Sequence, residues 1–220
     1  MYIEQANTQI EHEVKPSDSI AYALHKMSDL HSSQLAVVDN QSFIGLISED
    51  QLLNQSDVDQ EVGQLNSLLK FVYLFNDQHP LDALQYMSAH QLSVLPILDK
   101  EHKYTGSITA KELLNELNDI LGNNEPGAII VLELGKADVS LSHITHLIES
   151  ENVHIRSLAI REIPDSTKVE MTIKVDKQNI APLVASLWRF DYTVKATFND
   201  GSPDSDINDR YGILMNYLNL

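Results

Sequence analysis

The sequence predicts a mixed α/β chain, α+β in its organisation, made of a duplicated unit followed by a different one. Three observations predict it. The phrase "GLISEDQLL" beginning at Gly45 returns as "GSITAKELL" beginning at Gly106. From about residue 126 the pattern changes to strand, helix, strand, strand, helix, strand. The charge changes at the same place: residues 1–125 hold 19 acids and 6 bases, whereas residues 126–198 hold 9 acids and 8 bases.

Composition narrows the function classes. The 220 residues are 43% hydrophobic and 21% charged, enough apolar material to bury a core. A net charge of -17 repels a phosphate backbone, so no nucleic-acid partner is expected. No apolar run reaches the ~20 residues of a membrane span, so no membrane partner is expected. The start, "MYIEQANTQIEHEV", lacks a basic and then apolar leader, and a cytoplasmic location is the expectation. With no cysteine there are no disulfides, thiolate metal sites or cysteine nucleophile.

The repeat runs well beyond its opening phrase. At an offset of 60, Ala23-Leu24 matches Ala83-Leu84 and Met27-Ser28 matches Met87-Ser88. Leu35 falls on Leu95, Val37-Val38 on Ile97-Leu98 and Asp39 on Asp99. One more residue in the second turn moves the offset to 61 for Gly45/Gly106, Ser48/Thr109 and Leu52/Leu113. A period this long marks a duplicated supersecondary unit. Ile20, Ala23, Leu24 and Met27 recur at helical spacing, and Pro80 suits the first turn of the equivalent helix. "QLAVVD" and "LSVLPILD" are apolar strands, each followed by a turn, a second strand and a helix, "EDQLLN" or "AKELLNELNDIL". Each unit therefore reads strand, helix, strand, strand, helix.

The helix starts Pro16-x-Asp18-Ser19 and His79-Pro80, the strands "AVVD" and "VLPILD" and the twin phrases resemble the cystathionine-beta-synthase (CBS) domain, found as a tandem pair called a Bateman module. The resemblance covers residues 1–122, with units at 1–56 and 70–122. It implies a site for an adenine nucleotide, AMP-like, in clefts between the units, with Ser48 or Thr109 meeting phosphate or ribose at a helix N-terminus. On the same basis Gln51 or Glu112 would meet the ribose hydroxyls, Lys111 a phosphate, and Leu35, Ala36, Val94, Leu95 and Pro96 the base. An Asp is usual where this chain has Gln51 and Glu112. Glu112 keeps the charge, which makes the second cleft the better candidate. A purely structural reading also fits: Ser48-x-x-Gln51 and Thr109-x-x-Glu112 are both capping boxes. Lys100 and Lys103, in the turn before Thr109, are the other cations considered, few for a triphosphate.

Residues 126–198 read as a ferredoxin-like βαββαβ arrangement. Leu141, Ile144 and Ile148 mark the inner face of its first helix; Ile180, Leu183, Val184 and Leu187 mark that of the second, with Asn179 as N-cap. Trp188 borders that core. His143 and His146 fall on the opposite, solvated face of the first helix, and no third ligand at suitable spacing makes them a metal site. The pattern resembles an ACT domain, and CBS pair followed by ACT is the order of the bacterial acetoin-utilisation regulatory protein family. The resemblance implies a homodimer through this unit. In the loop "LGKADVSLSHI", Val139 stands where amino-acid-binding ACT domains place a Gly, so no amino acid is expected there. Residues 204–220 carry Ile207, Tyr211, Leu214 and Leu218 on one helical stripe, an amphipathic C-terminal helix that must dock to be stable.

No P-loop, GxGxxG, GxSxG or HExxH motif occurs, and the carboxylates lie scattered on polar faces and turns. No catalytic residue, cofactor or metal is expected. Two functions remain open: a non-catalytic sensor of a small ligand, or a ligand-free dimeric interaction scaffold.

Overall fold

The computed structural model describes residues 2–3 and 11–200, so the helix expected at 204–220 lies outside the described residues. The chain divides into two compact units, Met1–Leu117 and Asn118–Leu220.

In the first unit, each repeat builds a three-stranded sheet. β1 (Glu13–Val14) lies parallel to β2 (Gln34–Asp39), which lies antiparallel to β3 (Ser42–Ser48). β4 (Leu74–Phe75), β5 (Val94–Leu98) and β6 (Tyr104–Thr109) repeat the pattern. α1 (Ile20–Asp29) and α3 (Pro80–His90) connect the parallel strands, and α2 (Glu49–Leu53) and α4 (Ala110–Ile120) follow the third strands. Local chemistry explains each start. Ser19 Oγ accepts from the N–H of Tyr22 at 3.2 Å. His79 caps α3 in the same way, its Nδ1 accepting from the Leu81 N–H at 3.1 Å, while the Asp82 carboxylate accepts from the His79 N–H at 3.1 Å. Ile20, Ala23 and Met27 are buried on α1, and Pro80, Ala83 and Met87 on α3, 60 residues on.

The central strands have apolar residues on both faces. Leu35 and Val37 enter the core of the first repeat; Leu95 and Ile97 enter that of the second. Ala36 and Val38 from β2 and Leu98 from β5 share a further cluster with Phe43 and Tyr104. Near one end of these strands, Ser33 and Ser93 hydrogen-bond at 3.0 Å and the Gln34 carboxamide accepts from the Ser93 N–H at 2.9 Å. At the other, the Tyr104 N–H donates to Gln41 O at 2.8 Å.

The two glycines that open the twin phrases are there for different reasons. At Gly45 a Cβ would come within 2.6 Å of Leu69 Cβ, because the chain after the 3-10 segment Val62–Leu68 runs against β3 and exchanges both backbone bonds between Leu46 and Lys70. Gly106 has φ +145°, opposite the register shift between Ile97 and Leu98.

The second unit is a four-stranded antiparallel sheet of order β10-β7-β9-β8, with β7 (Ile129–Gly135), β8 (Ile155–Glu162), β9 (Lys168–Val175) and β10 (Thr193–Phe198). Alternate residues of β7 and β9 meet α5 (Leu141–Ser150) and α6 (Ala181–Arg189) in one core, which is the ferredoxin-like arrangement.

Three expectations for this unit are corrected. Leu141 is 44% exposed: it stands at the first turn of α5, beyond the stripe that Ile144, Leu147 and Ile148 bury. Ile180, not Asn179, holds the cap position of α6, without a side-chain cap. Ile180 is fixed there by burial, and Pro182 at the start of the helix has no N–H to cap. His143 is half-buried rather than solvated. Its Nδ1 is 2.7 Å from the Tyr192 hydroxyl and its ring stands edge-on to Phe190.

Gly45→Ala should lower the melting temperature by several degrees, since overpacking costs about 1–3 kcal/mol. Differential scanning calorimetry of the full chain checks this; an unchanged melting temperature contradicts the close approach of Leu69.

Candidate ligand site at the strand-to-helix turns

Each repeat ends its third strand in a hydroxyl residue that caps the following helix. At the first turn, the Ser48 N–H donates to Gln51 Oε1 at 2.9 Å, and Ser48 Oγ accepts from the Gln51 N–H at 3.4 Å. At the second, the Thr109 N–H and Oγ1–H both donate to Glu112 Oε2, at 2.7 and 2.8 Å, and Oγ1 accepts from the Glu112 N–H at 3.2 Å. Both capping boxes are closed. The first N–H of each helix is also taken: Glu49 donates to Ser33 O at 2.9 Å and Ala110 to Ser93 O at 3.0 Å. These helix starts therefore offer an anion fewer donors than a bare N-terminus does.

The two turns differ in what surrounds them. Gln51 Nε2 donates to Leu68 O at 2.6 Å, which ties the first turn to the incoming chain. Register aligns Val14 opposite Val37 with Leu74 opposite Ile97, so His12 corresponds to Val72 and Glu13 to Tyr73. With the offset of 61, Ser107 corresponds to Leu46 and Tyr104 to Phe43. Along β3, which leads to the first turn, this set is apolar: Leu46 is buried among the second repeat's core residues, and Phe43, near the strand's other end, packs against Tyr73 and Phe71. The corresponding set along β6 and before β1 is polar. Ser107 and Tyr104 are buried and their hydroxyls bond at 2.9 Å. His12 is 6% exposed, its carbonyl accepts from the Ala36 N–H at 2.9 Å, and its Nδ1 has no hydrogen-bond partner among the described residues.

Electrostatics tie this set to the turn. Burial lowers the His12 pKa; Glu112 is the strongest charge acting against that shift, followed by Glu11, while Lys26 adds to it. Burial raises the Glu13 carboxyl, with Lys26 and Lys15 opposing. Burial also pushes the Tyr104 phenol well above its usual range, with Glu13 adding to the shift and the Ser107 hydrogen bond opposing it.

The expected site residues fall into groups. Val94 pairs in register with Thr109, and Pro96 with Ser107, so these four adjoin Glu112 and the exposed Lys111. Ser48 and Gln51 form the other turn, where Ser48 pairs with Gln34. Leu35 and Leu95 are committed to the two cores, and Ala36 to the shared cluster. Lys100 and Lys103 stand at the far end of β6, about 20 Å along the strand from Thr109, and Lys100 pairs with Asp77 at 3.2 Å. Sequence reading missed His12, Glu13, Tyr104 and Ser107; the signal was the contrast between Ser107 and Leu46, and between His12 and Val72, at equivalent positions.

Comparison with known proteins agrees with the duplication. The model of the CBS domain family matches residues 12–57 and 62–119. The inosine-5'-monophosphate dehydrogenase of Methanocaldococcus jannaschii is 29% identical over 102 residues, 46% of this chain and 20% of that protein. The homoserine O-acetyltransferase of Methanosarcina acetivorans is 29% identical over 93 residues, 38% of this chain and 17% of that protein. The chain thus spans about a fifth of the length of these curated relatives. Among solved structures, a CBS domain pair/ACT domain protein from Thermotoga maritima aligns over 53% of this chain and 96% of its own, at 23% identity and a TM-score of 0.48. The cytosolic domain of the Mg2+ channel MgtE in complex with ATP aligns over 52% and 50%, at 20% identity and a TM-score of 0.43. The chain therefore carries two CBS domains in tandem, over residues 12–57 and 62–119.

Proposed function

We propose that this chain is a non-catalytic, cytoplasmic regulatory module that senses an adenosine-bearing ligand, with at most one phosphate, at its second CBS turn. CBS pairs are regulatory modules that commonly bind adenine nucleotides. The observation that carries the proposal is the polar character of β6 leading to Thr109 and Glu112, with Ser107 and Tyr104 where β3 has Leu46 and Phe43. Closing the capping box does not exhaust these groups: a hydroxyl has two lone pairs, and a carboxylate about four acceptor sites. Lys111 is the one cation of the candidate set at this turn, enough for a single phosphate.

The second unit is read as an ACT-type domain that holds two copies together, in the order of the acetoin-utilisation regulatory proteins. β8 and β10 are the edges of its sheet, and β8 presents eight residues for pairing. Val139 packs on the core of this unit, and a Cβ at Gly135 would meet the Asp138 carboxylate at 2.4 Å, so the loop's own acid already fills the space over Gly135. The alternative, a ligand-free scaffold, draws on the closed capping boxes and on the Gln51–Leu68 bond.

Thermal-shift measurements with adenosine, AMP, ADP, ATP, S-adenosylmethionine and the common amino acids separate the two. An adenosine-bearing ligand is expected to raise the melting temperature, by about 2.7 kcal/mol of stability at a hundred times its dissociation constant. Thr109→Ala should cost about 1 kcal/mol as a lost cap and also abolish the shift; no shift with any compound favours the scaffold. Light scattering should give twice the 24.7 kDa chain mass, and a monomer contradicts the dimer.

A further inference from the structure

The sheet of the second unit has two faces, and its two helices cover one of them. Ile130, Leu132 and Leu134 of β7 and Met171 and Ile173 of β9 enter the core with α5 and α6. Strand alternation turns the residues between them to the other face. There the register aligns Ala196, Val131, Thr172 and Ala159 in one row from β10 to β8, and Phe198 with Ile129 in the next. Phe198 is 54% exposed, Thr172 and Ala159 are exposed, and Ile129 and Val131 stand outside the core cluster of the unit. The middle row is built of small side chains, with an aromatic ring beside it.

Charge borders this row. On one side Glu170 is held between Arg161 and Lys195, and Glu133 pairs with Lys168. On the other, the Lys174 ammonium donates to Gly127 O at 2.9 Å. Arg161, Lys168, Lys174 and Lys195 outnumber Glu133 and Glu170, so the face is cationic in a chain whose net charge is -17. An apolar row with a cationic border fits a segment that is apolar along one stripe and acidic beside it.

The chain carries such a segment, and it leaves from this sheet. β10 ends at Phe198, and 20 residues follow Asp200, outside the described residues. In them Ile207, Tyr211, Leu214 and Leu218 make the apolar stripe, and Asp204, Asp206 and Asp209 outnumber Arg210. Residues 199–206 reach ~26 Å when extended, whereas four strands spaced ~4.8 Å apart are ~14 Å across. Residues 207–218 as a helix would be ~18 Å long, within the ~23 Å of a seven-residue strand such as β7. A helix this short is marginal in water without a surface to pack on. The exposed Phe190 on the helix side is a poorer target. It stands with Tyr192 around His143, six residues or ~20 Å along the chain from the end of β10.

We propose that residues 204–220 dock in cis on this open sheet face, with Ile207, Tyr211, Leu214 and Leu218 over Val131, Thr172 and Phe198, and the aspartates among Arg161, Lys174 and Lys195. The docked segment turns a two-layer unit into three layers, helices, sheet and helix. It is independent of what the CBS turns bind.

The chain has no cysteine, so one introduced thiol reports what is covered. Thr172→Cys marks the middle of the sheet face, and His146→Cys marks the exposed side of α5. Each is made in the full chain and in the full chain carrying Leu214→Asp and Leu218→Asp, which break the stripe. Thiol-labelling rates are then measured. Thr172→Cys is expected to react about tenfold faster when the stripe is broken, and His146→Cys to react alike in both chains. Protection of Thr172→Cys should also survive dilution of the protein. Equal rates at Thr172→Cys in the two chains overturn the proposal. So does protection that moves to His146→Cys, which places the segment on the helices, and so does a faster rate at both positions, which reports general loosening. Protection lost on dilution assigns the cover to a second copy and overturns docking in cis.

Discussion

Everything in the first unit depends on burying the second face of two central strands. β2 and β5 each carry apolar residues on both sides, and one repeat supplies helices for only one side. Ala36, Val38 and Leu98 are covered only when the repeats come together, which is why the phrase has to be written twice. At one end of these strands, Ser33, Gln34 and Ser93 replace apolar contact with hydrogen bonds, and there both following helices begin. The candidate turns are thus placed by the same packing that makes the pair fold.

Approximate two-fold repetition would give two equal sites, and the side chains break that equality. Leu46 and Ser107 occupy equivalent places, yet Leu46 adds to a core and Ser107 pairs with a tyrosine hydroxyl. Tying Gln51 to Leu68 O spends the one amide that a ligand would need at the first turn. Apolar filling stabilises that side by roughly 25 cal/mol per Å² buried, whereas each paired polar group on the other side contributes only about 0.5–1.5 kcal/mol net. The two repeats thus differ in the chemistry that leads to their turns: apolar packing in one, paired hydroxyls and a buried imidazole in the other.

Much of this was legible in the sequence, and the failures share a cause. Long periodic features read well: the offset of 60 and then 61, the strands "QLAVVD" and "VLPIL", and the capping boxes at Ser48 and Thr109 all correspond to observed contacts. Features that depend on a partner far along the chain did not. Leu141 has the right residue type for a core, but it lies a turn beyond it. His143 looked solvated because Tyr192 and Phe190, which enclose it, are nearly fifty residues away. His12 is a single polar residue before a two-residue strand, and its burial comes from β2 and the packing around it, which periodicity does not register.

A ligand changes a module only as far as it prefers one arrangement to another. At the second turn that preference has a physical route. Ala110, the first residue of α4, donates to Ser93 O; the Ser93 N–H donates to Gln34, and Gln34 lies in register with Ser48 at the first turn. Two hydrogen bonds and one strand pair therefore join the two helix starts. A ligand that draws Glu112 or Thr109 out of its capping box loosens α4 by about the worth of a cap, near 1 kcal/mol, and the same chain carries that change to the first turn. At the first turn Gln51 is tied to Leu68 O and Leu46 is committed to a core, so that end of the chain of contacts has the less freedom to move.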